Sequence, residues 1–479
     1  MNIILNRMMF YLRLAICFAF SICMTLVSCA KNQIVLKDIG ILEAKNGVAR
    51  YEMLYKAHQL AIAEGKKISY AGIDTLFLEI PKNAKSIELS RDQDFCNVVF
   101  VVENNAKDIF LFSLSGKHSP IKVSKADIDD GRFYKSELKR GSWILIIKDE
   151  KPWSDRIGYG YSAYRKDAIL IKRGKAKITP CSPYNNEESD PSCEYFKAEM
   201  NKTVIKNLHL VRDESCSKKT YLINVAYKNN VLLQNLSVVT PESKLYGDGA
   251  IWIENCADVN LNNITIDGTY SLDNQYGYGI RLENVTGFIG DKIVGKAKWG
   301  VFGNNNVNTP TLINCDINRF DIHCYGKDVT IRDCTIRDLY NQFSCVFGSI
   351  LYERCHFIDA TPYVDGASYN TNVKNMFLMI DCTVYASPSK NSLINIHHIS
   401  SNLHERENLR DKYLPDVEIK NLTINASSNV NQVFLYKIGA LDYKDELLGG
   451  ESSVKEIHFI GNDKAEFKQS NRQIKIKKK

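Results

Sequence analysis

The hydrophobic positions of this 479-residue chain fall into short alternating runs. The clearest are segments 204–210, 232–238, 261–266, 312–317, 330–336, 379–384 and 418–424. Their common core reads apolar, polar, Asn or Asp, apolar, polar, apolar, broken only where Ile313 and Ile380 replace the first polar residue. Segment 352–357 fits except for Arg354. Segment 290–293 fits poorly, because with Asp291 as the anchor Lys292 takes an apolar place. Period-two alternation on both sides of a polar anchor predicts strand, turn, strand. Asn and Asp suit such a turn because they tolerate positive φ and can bond neighbouring amides.

The anchors Asn207, Asn235, Asn263, Asp291, Asn314, Asp333, Arg354, Asp381 and Asn421 recur at intervals of 19 to 40 residues. A regular rung with variable loops explains that spread. Stacked in register, the anchors would form a hydrogen-bonded ladder. Leu208, Leu236, Ile264, Cys315, Cys334, Cys355, Cys382 and Leu422 would form a second ladder inside. A β-sandwich would need hairpin turn signals between antiparallel strands, and these are sparse. Segment 48–64 reads as an amphipathic helix, with Tyr51, Leu54, Ala57 and Ala61 on one face and Gly65 as its stop.

A strand stack needs a cap, since its terminal rung would otherwise expose core and unpaired backbone. The helix and the glycine-marked strands that follow it, at 67–73 and 76–80, resemble the N-terminal cap of pectate-lyase-like β-helices. With the rungs, the resemblance extends over residues 48–460. It implies an all-β fold, a single-stranded right-handed parallel β-helix with an N-terminal capping helix. The superfamily contains polysaccharide lyases, glycoside hydrolases, epimerases and non-catalytic adhesins, so fold alone does not choose among them.

The N-terminus adds a compartment. Arg7 and Arg13 precede an apolar run that starts at Leu14 and reaches Val27, and the first acidic residue is Asp38. Such a stretch is a signal peptide rather than a membrane span. It ends in Leu26-Val27-Ser28-Cys29, which resembles the bacterial lipobox and implies lipidation of Cys29. The expected organisation is a leader at 1–28, a tether at 29–46, the capped β-helix at 47–465 and a basic tail at 466–479. The expected location is the bacterial cell envelope, outer membrane or periplasm, held by the lipid alone. Losing the two leader arginines lowers a formal charge of +7 only mildly, so charge gives no case for nucleic acid. It is compatible with an anionic glycan. A monomer is expected.

The chain has 14 cysteines. Four share the interior column and read as small apolar packers. Cys181, Cys193 and Cys216 lie in irregular polar sequence, where a disulfide fits an oxidising compartment. No paired-cysteine spacing suggests zinc. No cofactor is called for. His397, His398 and His404 raise a divalent cation, but no ligand set supports one.

A second strand precedes each anchor strand, at 250–255, 279–284, 300–305 and 321–325. Aligned end to end, these place Trp252, Arg281, Phe302 and His323 in one outward column. Glu254, Glu283, Asn304 and Tyr325 form the next. Asp248, Lys298, Arg319 and Asp321 lie at the strand starts, with Tyr278 and Trp299 on the loops. Aromatic faces stack on sugar C–H surfaces, and charged groups hold hydroxyls or carboxylates. Asp248, Trp252, Glu254, Tyr278, Arg281, Glu283, Trp299 and Tyr325 are therefore candidate substrate-binding residues. Lys298, Arg319, Asp321 and His323 are candidate catalytic residues. A lyase needs a base and a cation for the enolate, for which Lys298 or His323 with Arg319 or Arg281 would serve. A glycoside hydrolase needs two carboxyls, available among Asp248, Glu254, Glu283 and Asp321. The expected function is action on a polysaccharide by one of these routes. The alternative is a non-catalytic glycan-binding or structural surface module.

Overall fold

The computed structural model describes residues 32–477, apart from 107–108, 157–160, 181–183, 185–188, 213–219, 240–248, 269–270, 273–274, 298, 324, 339, 345, 368–374, 397–398, 403–412, 439–445, 450–451 and 471–474. Cys29, Cys181, Cys216, Asp248, Lys298, Cys324, His397, His398 and His404 lie outside the described residues.

Successive strands pair in parallel with the equivalent strands one coil later, and the chain winds as a right-handed parallel β-helix. Each full coil contributes to three faces. The coil around Ile251–Gly268 shows this within one long strand. Its first part pairs with Ile280–Thr286, and its later parts pair with Ile289–Ala297. The corner between the second and third faces is the anchor. Asn207, Asn235, Asn263, Asn314, Asp333, Arg354, Asp381 and Asn421 all adopt φ between 50° and 60°. Apart from glycine, Asn and Asp reach this left-handed region at the lowest cost, and Arg354 is the long side chain among them. Asn235 donates to Asn207 at 2.7 Å, Asn263 to Asn235 at 3.1 Å and Asn421 to Asp381 at 2.8 Å. Arg354 continues the ladder by forking onto Asp333.

One anchor moves. Lys292, not Asp291, has the positive φ, and Asn262 pairs with Asp291 while Ile264 pairs with Ile293. Ile293 then fills the interior column, and the Asp291 carboxylate takes over the ladder, accepting from Asn262 and Asn314. The inward residues expected from the pattern are all buried, the four cysteines as free thiols. Cys193 is also a free buried thiol, pushed up to about 12 by burial, so it contributes to no disulfide.

The cap is helix α1 (Gly47–Glu64). Asn46 caps its first turn by accepting from the Ala49 amide at 2.9 Å, and Gly65 ends it at φ 64°. Tyr51, Leu54, Ala57 and Ala61 face the core as expected, joined by His58. The segment expected as a tether is docked from Gln33 onward. Gln33–Val35 pairs with Lys67–Ser69, and Leu36 and Ile41 are fully buried against the cap. At the other end, Glu466–Ser470 and Lys475–Lys477 of the segment expected as a basic tail still pair as strands.

An antiparallel unit interrupts the coils. Strand β1 (Ser142–Arg156) lies between β2 (Tyr161–Lys172) and β3 (Pro191–Lys197). Leu145, Ile147, Ile169 and Ile171 pack into the unit's own core with Phe133 and Tyr184. Ile144, Ile146 and Ala168 pack the other way, with Phe196 of β3 and with Ala257 of the helix. The unit stands as a wall beside the first face, whose strands β4 (Ile251–Gly268), β5 (Ile280–Thr286), β6 (Phe302–Asn308) and β7 (Phe320–Ile322) carry the candidate residues.

His58 offers a test of the cap. It is buried against Tyr70, its Nε2 2.7 Å from the phenol oxygen, and burial lowers its pKa to about 3. The unfolded chain therefore binds a proton that the folded chain refuses, so stability falls as pH drops below about 6.5. Urea midpoints measured from pH 7 to pH 4 should decline, and His58→Leu should flatten the decline.

Candidate functional site

The first face is built by register. Trp252 pairs with Arg281 and Glu254 with Glu283, as the pattern predicts. Beyond that the alignment shifts by one residue. Ile280 pairs with Phe302, Arg281 with Gly303 and Glu283 with Asn305. Phe302 and Asn304 therefore point inward, not into the outward columns. Phe302 packs edge-on against Phe288 and Phe320. Two adjacent apolar residues, Val301 and Phe302, are both buried at this corner, and period-two reading chose the wrong one. In the next coil Gly303 pairs with Asp321 and Asn304 with Ile322. Asp321 thus continues the Trp252–Arg281 column, while His323 follows Asn305 beneath Glu283.

Arg319, Asp321, His323, Tyr278 and Trp299 do come together, though not as an open catalytic set. Arg319 pairs with Asp321, and both are fully buried. The guanidinium stacks 4.3 Å from the Trp299 ring and donates to the Trp299 carbonyl at 3.1 Å. The Tyr278 oxygen lies 2.9 Å from Asp321 Oδ2, 2.7 Å from His323 Nε2 and 2.8 Å from Trp299 Nε1. One phenol accepts from the indole and the imidazole and donates to the carboxylate, which saturates its oxygen. Burial, then the Asp321 charge, holds the Tyr278 phenol well above its usual range. Gly303 permits this arrangement, because a Cβ there would overlap the Tyr278 ring. Only His323 and the Trp299 edge retain solvent contact. Arg319 and Asp321 are thus buried behind His323 rather than open on the face as the pattern predicts.

Glu254 and Glu283 form the second cluster, on adjacent rungs about 4.8 Å apart. Glu283 is ion-paired to Lys166 of β2. Lys148 of β1, paired in register with Lys166, sits nearby and is tied to Glu194 at 3.4 Å and the Tyr227 hydroxyl at 3.2 Å. Burial raises the Glu254 carboxyl above the ordinary glutamate range. Glu283 adds to the rise, while an Asn224 hydrogen bond at 3.3 Å and the two lysines oppose it. Next to the carboxyls, Arg281 lies 4.3 Å over the Trp252 ring, which Phe110 and Tyr221 brace edge-on. Trp252, Glu254, Arg281 and Glu283 are all partly exposed.

Tyr325 departs from its expected outward position. It is fully buried, with its hydroxyl 2.7 Å from the Lys166 carbonyl and 2.6 Å from Asp167. Sequence reasoning missed Lys148 and Lys166 altogether, since no local pattern ties them to glutamates more than 100 residues away. Among the described residues no group of three or more His, Cys, Asp or Glu is placed to hold a metal.

No family model matches the chain, and no curated protein matches it in sequence. In three dimensions it is similar to the tailspike protein gp49 of Pseudomonas phage LKA1, with 13% identity and a TM-score of 0.51 over 88% of this chain and 72% of that one. Tailspike gp61 of Pseudomonas phage phi297 is 12% identical, with a TM-score of 0.43 over 90% of this chain and 80% of its own. The gp54 tailspike of Acinetobacter baumannii bacteriophage AP22, in complex with capsular saccharide, is 12% identical, with a TM-score of 0.42 over 86% and 73%. At 13% identity, gp49 shares the fold with this chain and nothing finer.

Tyr278→Phe tests the buried cluster. It strips Asp321 of a donor and leaves the Trp299 N–H without its acceptor. The expected loss of stability is about 1–3 kcal/mol by urea unfolding. The His323 ring protons should shift in the NMR spectrum at the same time.

Proposed function

We propose that the chain hydrolyses a glycan lying along the first face, with Glu254 as proton donor and Glu283 as its partner carboxylate. The observation behind this reading is the unlike setting of two neighbouring carboxyls. Partial burial raises the Glu254 carboxyl above the ordinary glutamate range, while Glu283 lies against the Lys166 ammonium. Pairs whose surroundings differ in this way divide into acid and base. Carboxyls on adjacent rungs can reach the ~5–5.5 Å separation of retaining enzymes. Glu283 would attack the anomeric carbon as Glu254 protonates the departing oxygen. Glu254 would then take a proton from the water that releases the sugar. Trp252 and Arg281 supply a stacking face and a cation beside the reacting carbon. A lyase route is less well supported, because Arg319 is enclosed by Trp299 and neutralised by Asp321.

The test is a panel of neutral and anionic polysaccharides offered to the soluble form beginning at Ala30. New reducing ends without ultraviolet absorbance mark hydrolysis, and new absorbance marks elimination. Glu254→Gln and Glu283→Gln should each lower turnover by about 10²–10⁴-fold. Full turnover in either variant rules the assignment out. Retention on a glycan with no cleavage, weakened by Trp252→Ala, would favour a binding module instead.

Export and anchoring belong to the same reading. We propose that the leader is removed before Cys29 and that a lipid on this residue holds the protein at the cell envelope. No described helix is long and apolar enough to cross a membrane. Full-length protein should label with a radioactive fatty acid and partition into detergent, and Cys29→Ser should abolish both.

A further inference from the structure

The wall touches the first face through a buried carboxylate that the proposed reaction does not use. Asp167 of β2 is almost fully buried. Its Oδ2 lies 2.7 Å from the Tyr184 hydroxyl and 2.6 Å from the Tyr325 hydroxyl, and Asn308 donates to Oδ1 at 3.1 Å. Tyr184 belongs to the wall, whereas Asn308 and Tyr325 belong to successive coils. The residues on either side of Asp167 are held as well. The Tyr325 hydroxyl also reaches the Lys166 carbonyl at 2.7 Å, and the Thr286 hydroxyl donates to the Ala168 carbonyl. Asn306 donates to the Tyr164 carbonyl at 3.3 Å. Three consecutive coils thus grip residues 164–168 of one strand.

A buried carboxylate is a poor choice for adhesion alone. Desolvating its charge costs several kcal/mol, and apolar packing of similar volume would often serve as well or better. What the carboxylate provides is direction, because it fixes two phenols and an amide at set angles. The side chain next to this clasp is Lys166, whose ammonium lies on Glu283.

We infer that Asp167 is a positioning residue: it clasps the wall to the first face and so holds the Lys166 ammonium against the Glu254–Glu283 pair. Its role in turnover rests on the reading that this pair is the reacting centre; the clasp itself does not. The charged and polar groups around the pair are Asn224 from the helix and Lys148 and Lys166 from the wall, with Lys148 shared by Glu194 and Tyr227. Around Asp167 they are Tyr184 and Arg165 from the wall and Asn308 and Tyr325 from the helix. Arg165 is itself paired with Asp149 at 2.7 Å and acts on Asp167 through its charge.

The sign follows from the Lys166 charge, which favours the ionised form of Glu254. Loosening that lysine should raise the pH at which Glu254 loses its proton. A general acid must be protonated, so the basic limb of a pH–rate profile should move upward with it.

The experiment uses the full chain with carbon-13-labelled glutamate, the Glu254 carboxyl resonance being assigned from Glu254→Gln. Lys166→Met should raise its titration midpoint by about half a pH unit and leave amide exchange in β2 unchanged. Asp167→Asn should reproduce the rise and speed exchange over residues 164–172 by about tenfold. Tyr325→Phe, which keeps the carboxylate and removes one donor, should shift both in the same direction by less, and serves if Asp167→Asn fails to fold. Faster exchange with an unmoved titration would reduce Asp167 to a structural contact and overturn the inference, as would no change in either. If the titration moves as expected but Glu254→Gln keeps full turnover, the clasp stands and the catalytic reading falls.

Discussion

Everything in this molecule depends on one constraint, the register between one coil and the next. Each strand is bonded to its equivalents above and below, so every side chain has a fixed neighbour about one strand spacing away. The interior works only because Leu208, Leu236, Ile264, Ile293 and the four cysteines after them fall in a single column. The corner that keeps the column straight is the left-handed anchor. Asn235 bonds back to Asn207 and forward to Asn263, so the backbone turn is repeated by side chains as well as by main chain.

That constraint explains what was legible in the sequence. A short polar residue at a left-handed corner, flanked by alternation, leaves a clear trace, and the anchors, the interior ladder and the cap could be read directly. The trace faded where chemistry relaxed it. Lys292 holds the corner with a long side chain, and Asp291 beside it supplies the missing ladder oxygens, so the sequence points one residue too early. At Val301-Phe302 both residues are buried, and alternation loses its phase. The wall was invisible for a related reason. Ile144 to Ile147 are buried on both sides, two facing the wall's own core and two facing the helix, so the run has no polar half.

The candidate site was legible in which residues share a face more than in how they pack. Trp252, Glu254, Arg281 and Glu283 lie on one face as expected, because the first two coils keep register. Arg319, Asp321, Tyr278 and His323 also gather, yet packing turns three of them into a buried support for the fourth. A charged residue beside aromatic rings reads the same in sequence whether the rings leave it open or cover it. The lysines that distinguish the two glutamates arrive from a distant strand, and such a meeting has no local signature.

The position of the wall has a consequence for how this protein can change. The coils on either side of it pair directly, Val98 with Leu208 and Ser113 with Asn224, as though nothing intervened. The scaffold therefore does not depend on the graft for its continuity. Residues of the wall beside the first face can be rewritten, lengthened or exchanged wholesale while the stack beneath keeps its pairing. Inheritance can thus vary chemistry and architecture separately, with the few hydroxyls and amides that meet residues 164–168 as the coupling any replacement would have to match.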